Sequence, residues 1–86
     1  MNPLPLLYTK PGCPWCAEVV GFLDEHGIPY RNLDIAADPQ AAGEMRQKSG
    51  QGKVPTLDWN GTILADFGVD ELVPFLRDRQ VKLEDN

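Results

Sequence analysis

The chain has 86 residues and a mass of 9.6 kDa. We therefore expect a single domain over residues 1–86, and this length excludes an enzyme with a separate cofactor domain. Thirteen acidic residues against eight basic ones give a net charge of −5, so we expect no nucleic-acid or membrane partner. The composition is globular, and its two cysteines are too few for a disulfide-rich secreted scaffold.

The N-terminal segment shows no targeting signal. Met1–Lys10 has no basic n-region and no long apolar stretch. No apolar run in the sequence approaches the roughly 20 residues that cross a bilayer. We therefore expect a cytoplasmic protein whose thiols stay mostly reduced, so that two cysteines in one motif serve chemistry rather than structure.

The first predicted elements are a strand and a helix. Leu4–Thr9 is a short apolar run before Lys10-Pro11-Gly12, which predicts a buried strand that enters a loop. After this loop, apolar side chains recur at the spacing of one helix face, at Cys16, Val19, Val20 and Leu23. Gly27 lies where a left-handed C-terminal cap is wanted, and Pro29 prevents the helix from continuing.

A second strand and a second helix follow. Tyr30–Ile35 alternates between apolar and polar residues in the way a strand does. Asp38 and Pro39 suit the N-cap and the first position of a weakly amphipathic helix, which runs to about Lys48. Residues 49–52 then form a loop.

The last part of the chain predicts a hairpin and a helix. The strands Thr56–Trp59 and Thr62–Ala65 flank Asn60-Gly61, a dipeptide typical of a tight hairpin. The final helix begins near residues 69–70 and runs to about Gln80.

Pro74 lies close to the first turn of this last helix and predicts an irregular start. We expect residues 81–86 to form a loose tail, so that the core of the domain spans about residues 4–80.

The order β-α-β-α-β-β-α predicts an α/β fold. The first β-α-β unit is expected to be parallel with a right-handed crossover, and the hairpin is antiparallel. Together these units make a mixed four-stranded sheet with helices on both faces.

The segment Cys13-Pro14-Trp15-Cys16 is the candidate site. Cys13 falls at a helix N-terminus, where unpaired backbone N–H groups and the helix dipole favour a thiolate. Lys10 adds positive charge nearby. Cys16 lies one turn later on the apolar face with Val19, so it is expected to be more buried. This asymmetry predicts that Cys13 attacks a disulfide and that Cys16 resolves the mixed disulfide.

Two structural roles for the cysteines fit less well. A structural zinc site needs about four ligands, and the chain offers only Cys13, Cys16 and His26, which lies at the far end of the helix. A purely structural disulfide between Cys13 and Cys16 closes a very small loop and constrains the unfolded chain little. We therefore predict no metal site.

The segment Tyr8–Cys16 resembles the active-site segment of the dithiol glutaredoxins, which have the thioredoxin-like fold. The usual motif of that family is Cys-Pro-Tyr-Cys, and Trp15 replaces the tyrosine here. The chain keeps Cys16, where monothiol members have serine. The resemblance extends to Val54-Pro55 and to the order of the helices, and it covers roughly residues 4–80.

This resemblance implies a thiol–disulfide oxidoreductase. Its expected partners are glutathione and proteins that carry disulfides or bound glutathione. Glutathione acts as a co-substrate, no cofactor is tightly bound, and a monomer is expected. Cys13 and Cys16 are the implied catalytic residues.

The implied glutathione contacts come from Lys10, Trp15, Val54, Pro55, Phe67, Gly68 and Asp70. Lys10 pairs with a carboxylate, and Trp15 stacks beside the cysteine. A cis peptide bond before Pro55 turns the Val54 backbone toward the site, where it pairs with an extended peptide. Phe67 and Gly68 offer backbone groups at a helix start, and Asp70 takes the ammonium group.

Two departures from the family pattern concern the same ligand. The Gly-Gly-Cys-Asp-Asp segment of many relatives has no paired glycines here, because Leu64–Asp70 carries an acid, Asp66, instead. Ala42 stands where many relatives have an arginine or glutamine for the glycyl carboxylate, a role for which Arg46 or Gln40 are the candidates.

Three other functions stay open. Asp66–Asp70 is also similar to the corresponding segment of glutaredoxin-like donors to ribonucleotide reductase, which are recycled by thioredoxin reductase; Pro14-Trp15 argues for an ordinary glutaredoxin. A dimeric iron–sulfur cluster carrier would use Cys13 and glutathione, although relatives with a proline at position 14 seldom do this. A binding module with an inert disulfide is the third alternative.

Overall fold

The computed structural model describes residues 4–83. Its elements are β1 (Leu6–Thr9), α1 (Pro14–Glu25), β2 (Arg31–Asp34), α2 (Pro39–Ser49), β3 (Thr56–Trp59), β4 (Thr62–Ala65) and α3 (Val69–Asp78). This is the predicted order, with boundaries that differ by one or two residues. Within the described part, no helix is both long and apolar enough to cross a membrane.

The four strands form one mixed sheet in the order β2-β1-β3-β4. β1 and β2 are parallel, with Leu6 beside Arg31 and Thr9 beside Asp34. β3 is antiparallel to both β1 and β4. The predicted mixed sheet is confirmed, and its parallel pair carries the loop that leads into α1.

Helices cover both faces of the sheet, as predicted. Successive strand residues point to opposite faces, so Leu7 and Leu57 pack in one core with side chains of α1 and α3. Tyr8 points the other way and packs with Ala41 and Met45 of α2. The second core also contains Cys16, so one cysteine of the candidate site is packed in the interior.

Local signals explain several of the element boundaries. The carboxylate of Asp38 accepts hydrogen bonds from the N–H groups of Gln40 and Ala41 at 3.1 and 3.3 Å, which caps the start of α2. In the hairpin, Asn60 and Gly61 both have positive φ, 50° and 98°, as the predicted tight turn requires.

The last helix departs from the sequence prediction at Pro74. α3 begins at Val69 and runs through Pro74 to Asp78 as one helix, so the predicted irregular start is wrong. Its first turn is instead stabilised by Glu71, whose carboxylate accepts a hydrogen bond from the N–H of Gly68 at 2.8 Å.

The predicted loose tail lies partly outside the described residues. Nothing is described for residues 84–86. Val81 and Leu83 are partly buried against the core of α1 and α3. Looseness of residues 81–86 stays a prediction.

A charged contact joins α2 to the sheet. Lys48 Nζ lies 2.9 Å from Oδ2 of Asp58 on β3 and donates a hydrogen bond to the Tyr8 hydroxyl at 2.8 Å. Burial alone would raise the pKa of Asp58, but the hydrogen bonds from Lys48 and from the Gly61 N–H outweigh it and lower that pKa. Burial opposes the charge of Lys48, yet its bonds to Tyr8 and Asp58 raise its pKa.

Candidate active site

Cys13 is the N-cap of α1, directly after the loop that follows β1. Its sulfur accepts a hydrogen bond from the N–H of Cys16 at 3.2 Å, and its carbonyl accepts one from the N–H of Ala17 at 3.1 Å. Pro14 occupies the first helical position, where its missing N–H costs nothing. Both cysteines are free thiols. The Cys13 sulfur therefore lies where the start of a helix favours negative charge.

Cys16 lies deeper than Cys13. It is only 4% exposed and belongs to the core that packs against α2, together with Tyr8 and Met45. Burial, followed by the hydrogen bond with Cys13, raises the pKa of Cys16 to about 11, although contact with Lys10 opposes the shift. Cys16 is therefore a thiol at neutral pH.

A cleft separates Trp15 from the start of α3. Trp15 is 59% exposed, and the backbone of Gly68 lies so close to it that an added Cβ would be 3.5 Å from Cε3 of the indole ring. The cleft has a volume of about 250 Å³. It is lined by Trp15, Glu18, Asp66, Phe67, Gly68, Val69, Asp70 and Glu71.

The structure thus brings together four of the residues predicted to contact glutathione. Trp15, Phe67, Gly68 and Asp70 all line this cleft. The side chain of Phe67 is buried in the core beside α1 and α3, so only a small part of this residue faces the cleft.

Lys10 lies apart from these four residues. It lines a second cavity, of about 340 Å³, which also contains Cys13 and Cys16 and extends to Asn32 and Asp34 at the end of β2. Both cysteines thus line the cavity that contains Lys10, whereas the α3 residues line the cleft beside Trp15. The predicted contacts are divided between two cavities.

Val54 and Pro55 form the remaining part of the site. The peptide bond between them is cis, as the family resemblance implies. Val54 packs in the same core as Cys16, with Cys13 partly buried against that core. Within residues 4–83, neither the N–H nor the C=O of Val54 has a hydrogen-bond partner. The Pro55 carbonyl accepts a bond from the N–H of Asp66 at 3.0 Å, which fixes the chain ahead of α3.

Comparison with known proteins identifies the family to which this site belongs. The family model for glutaredoxin matches residues 6–64. The chain belongs to the glutaredoxin family. It is a redox protein of the thioredoxin-like fold, with its Cys13–Cys16 pair placed as in that family.

Individual relatives agree with this glutaredoxin assignment. The chain is 32% identical over 66 residues to a glutaredoxin-like 8.6 kDa protein in the rubredoxin operon of Clostridium pasteurianum, a match that covers 77% of this chain and 88% of the relative. It is 38% identical over 62 residues to a glutaredoxin of Neisseria meningitidis serogroup B, covering 71% and 73%. The crystal structure of the thioredoxin-like protein BC3987 superposes with a TM-score of 0.77 at 28% identity, covering 84% and 99%.

Gln40 and Arg46, the two candidates for binding the glycyl carboxylate of glutathione, lie elsewhere in this glutaredoxin. Gln40 lines a different cavity, beside Leu6 and Arg31. Arg46 packs its guanidinium against Gly52, where an added Cβ would be 3.3 Å from Nε. Neither residue lines the Trp15 cleft or the Lys10 cavity.

His26 caps the end of α1 that is distant from the cysteines. Its ring lies 4.3 Å from that of Phe22, and a 12-residue helix is about 18 Å long. Among the residues that the structure describes, no three His, Cys, Asp or Glu side chains are grouped in a way that would hold a metal ion.

Two acidic residues of the cleft were not singled out from the sequence. Glu18 lies one helical turn after Trp15. Glu71 follows the N-cap Gly68 by three residues, a spacing typical of a capping box, and this signal was available in the sequence. No signal in the sequence predicts that Trp15 lies close to the start of α3.

Proposed function

We propose that the protein is a cytoplasmic thiol–disulfide oxidoreductase that reduces protein disulfides and glutathione mixed disulfides through Cys13 and Cys16. The observation that carries this proposal is the contrast between the two sulfurs. The Cys13 sulfur receives an N–H hydrogen bond at the start of α1, whereas Cys16 is a buried thiol with a raised pKa. We therefore assign the attack on the substrate to the Cys13 sulfur and the later, resolving step to Cys16.

The dithiol reaction has two exchange steps. The Cys13 thiolate attacks one sulfur of the substrate disulfide, so that a mixed disulfide forms while the other substrate sulfur leaves as a thiolate. Cys16 then attacks the Cys13 sulfur, the second substrate thiolate leaves, and the Cys16 proton passes to it. The substrate gains two electrons, and the protein ends with a Cys13–Cys16 disulfide.

Glutathione is the proposed reductant and co-substrate. Two molecules restore the dithiol and leave as glutathione disulfide. With a glutathione mixed disulfide, Cys13 alone takes up the glutathionyl group, and a second glutathione releases it. Both routes need no tightly bound cofactor and no second copy of the chain.

The cleft and the Val54 backbone are the proposed glutathione contacts. The free N–H and C=O of Val54 suit an extended peptide, which pairs with them as an added strand. Trp15, two residues after Cys13 in the chain, offers an exposed aromatic face. Phe67, Gly68 and Asp70 line the cleft, and Lys10 provides a cation from the other cavity.

The acidity of the cleft favours a second candidate function with the same cysteine chemistry. Four of the eight residues that line the cleft are acidic, an unfavourable lining for an anionic tripeptide. In this alternative, thioredoxin reductase rather than glutathione restores the dithiol, and the protein passes electrons to a larger enzyme.

A coupled assay separates the two candidates. The consumption of NADPH is followed with a glutathionylated protein as substrate, in one arm with glutathione and glutathione reductase and in the other with thioredoxin reductase. We expect turnover in the first arm, and loss of that turnover in Cys13→Ser. Turnover in the second arm alone supports the donor function. No turnover in either arm, or full activity of Cys13→Ser, overturns the proposal.

A further inference from the structure

The side chain of Gln51 organises the loop between α2 and β3. Its Oε1 accepts a hydrogen bond from the N–H of Lys53 at 2.6 Å, and its Nε2 donates one to the Lys53 carbonyl at 3.1 Å. Nε2 also donates a hydrogen bond at 3.2 Å to the hydroxyl of Thr56, the first residue of β3. One amide group therefore binds both backbone polar groups of Lys53.

Hydroxyl groups at the two ends of this loop complete the network. Thr56 is fully buried, and its hydroxyl donates a second hydrogen bond to the Lys53 carbonyl at 2.8 Å. Ser49 ends α2, where its hydroxyl donates to the Met45 carbonyl at 2.6 Å and accepts from the N–H of Gln51 at 3.4 Å. The loop is therefore fixed to α2 at one end and to β3 at the other.

These bonds set the direction of the Val54 N–H, which belongs to the same trans peptide group as the Lys53 carbonyl. Because a trans peptide group is planar, its C=O and its N–H point in opposite directions. The carbonyl is held by Gln51 and Thr56, so the Val54 N–H points away from both side chains. This N–H has no hydrogen-bond partner in the described part of the chain. Rotation of the peptide group would break both bonds and turn the N–H toward the loop.

The direction of this N–H matters because Val54 belongs to the core that contains Cys16. Cys13 is partly buried against the same core. A substrate peptide that pairs with the Val54 backbone gains most from a donor whose direction is already fixed, because ordering a mobile group on binding costs conformational entropy. A disulfide without a peptide group makes no such bond.

We propose that Gln51 is a positioning residue that, with the Thr56 hydroxyl, holds the Val54 N–H ready to pair with the peptide group of a substrate. This inference rests on the proposed thiol–disulfide exchange at Cys13 and explains how the protein favours disulfides that carry peptides. Gln51 acts through the peptide group between Lys53 and Val54, and it takes no part in the exchange of electrons.

The test compares two disulfides in single turnovers of the full chain without any other reductant. Glutathione disulfide carries peptide groups, whereas bis(2-hydroxyethyl) disulfide carries none. In each reaction Cys13 and Cys16 lose two electrons and two protons and form a disulfide, and the small disulfide receives them and becomes two thiols. The second-order rate constants are measured from the loss of protein thiols, counted by mass spectrometry after acid quenching and alkylation. Their ratio, glutathione disulfide over bis(2-hydroxyethyl) disulfide, is the readout.

We expect this ratio to fall about three- to tenfold in Gln51→Met, which keeps the length of the side chain but removes its amide. The rate with bis(2-hydroxyethyl) disulfide should stay within about twofold of the wild type, since no hydrogen bond to this substrate is lost. Thr56→Val removes the second bond to the Lys53 carbonyl and should lower the ratio about two- to fivefold, whereas Thr56→Ser keeps the hydroxyl and should retain the ratio.

Gln47→Met is the matched control for Gln51→Met. Gln47 is an exposed glutamine of α2 that takes no part in the hydrogen bonds of this loop. The same change of residue type there should leave the ratio equal to that of the wild type.

Failure of this inference is distinguishable from failure of the proposed function. If the wild type reduces neither disulfide, the exchange chemistry is wrong, and the inference fails with it. If the wild type reduces both, but Gln51→Met and Thr56→Val leave the ratio unchanged, the proposed function stands and Gln51 does not position the Val54 N–H. Equal losses with both disulfides would show a purely structural role, because damage to the whole fold acts on both reactions. An equal fall of the ratio in Gln47→Met also overturns the inference.

Discussion

The backbone N–H of Cys16 donates a hydrogen bond to the sulfur of Cys13 across 3.2 Å. This contact arises because Cys13 is the N-cap of α1 and Cys16 is the third residue of the helix, so the spacing of the motif places a donor directly opposite the first sulfur. The same spacing turns the side chain of Cys16 into the core. Two chemically identical side chains therefore have different surroundings.

The first prediction concerns the reactivity of the two thiols. Iodoacetamide at about pH 7.5 should modify Cys13 rapidly and leave Cys16 unmodified, because Cys16 is 4% exposed and has its pKa raised to about 11. At that pH, less than about 0.1% of Cys16 is thiolate. Peptide mapping by mass spectrometry counts the modified residues. Protein unfolded in urea is the control, in which both cysteines should react. Equal labelling of both in the native protein would contradict the asymmetry.

The second prediction concerns the contact between α2 and β3. Lys48→Met leaves the carboxylate of Asp58, only 14% exposed, without its cation, so we expect the free energy of unfolding to fall by about 1–3 kcal/mol. Lys53→Met is the matched control, because it removes the ion pair between Lys53, 74% exposed, and Asp66, 58% exposed. This variant should lower the free energy of unfolding by less than about 0.5 kcal/mol. Urea denaturation measures both. Equal losses would show that the Lys48 contact is no stronger than a surface pair.

The Lys48 contact also predicts a dependence on pH. The pKa of Asp58 is lowered in the folded protein, so this contribution is present above its ordinary value of 3.8 and is lost as the pH falls through the folded pKa. The pKa of Lys48 is raised, so its contribution is present below 10.5 and is lost above it. The difference between the wild type and Lys48→Met should therefore be largest between about pH 4 and pH 10 and should shrink on either side.

The sequence was sufficient to predict the structural features that depend on residues close to one another along the chain. The helix spacing after Cys13, the cap at Asp38 and the turn at Asn60-Gly61 are local signals, and the structure has the expected elements at all three. The sheet followed from these elements, because short connections and the parallel first unit leave few arrangements.

Contacts between residues far apart in the sequence could not be predicted in this way. Lys48 meets Asp58 only because α2 packs across a sheet whose register places Asp58 opposite Leu6. The approach of Trp15 to Gly68 likewise depends on how α1 and α3 pack together. Residue spacing carries no information on such contacts, and for this reason Lys10 was grouped with α3 residues from which the structure separates it.

The third prediction separates the two tryptophans. Trp15 is largely exposed at the cleft, so Trp15→Leu should change the free energy of unfolding by less than about 0.5 kcal/mol. It should nevertheless slow the reduction of a glutathione mixed disulfide about two- to tenfold, because a stacking face is lost. Trp59 packs against the core, so Trp59→Leu should cost about 1–3 kcal/mol and leave kcat/KM of the folded protein unchanged. The reverse pattern would remove Trp15 from the proposed binding cleft.

The last prediction concerns Cys16→Ser and tests whether the buried thiol serves only the dithiol route. Cys13 retains its N-cap position and the N–H bond from residue 16 in this variant, because that donor belongs to the backbone. Reduction of a glutathione mixed disulfide should therefore stay within about threefold of the wild-type rate, whereas reduction of a protein disulfide should fall at least about tenfold, since no second thiol resolves the mixed disulfide. Cys13→Ser should abolish both reactions. Equal loss of both activities in Cys16→Ser would mean that Cys16 also supports the attack by Cys13, and full retention of both would mean that an external thiol resolves every intermediate.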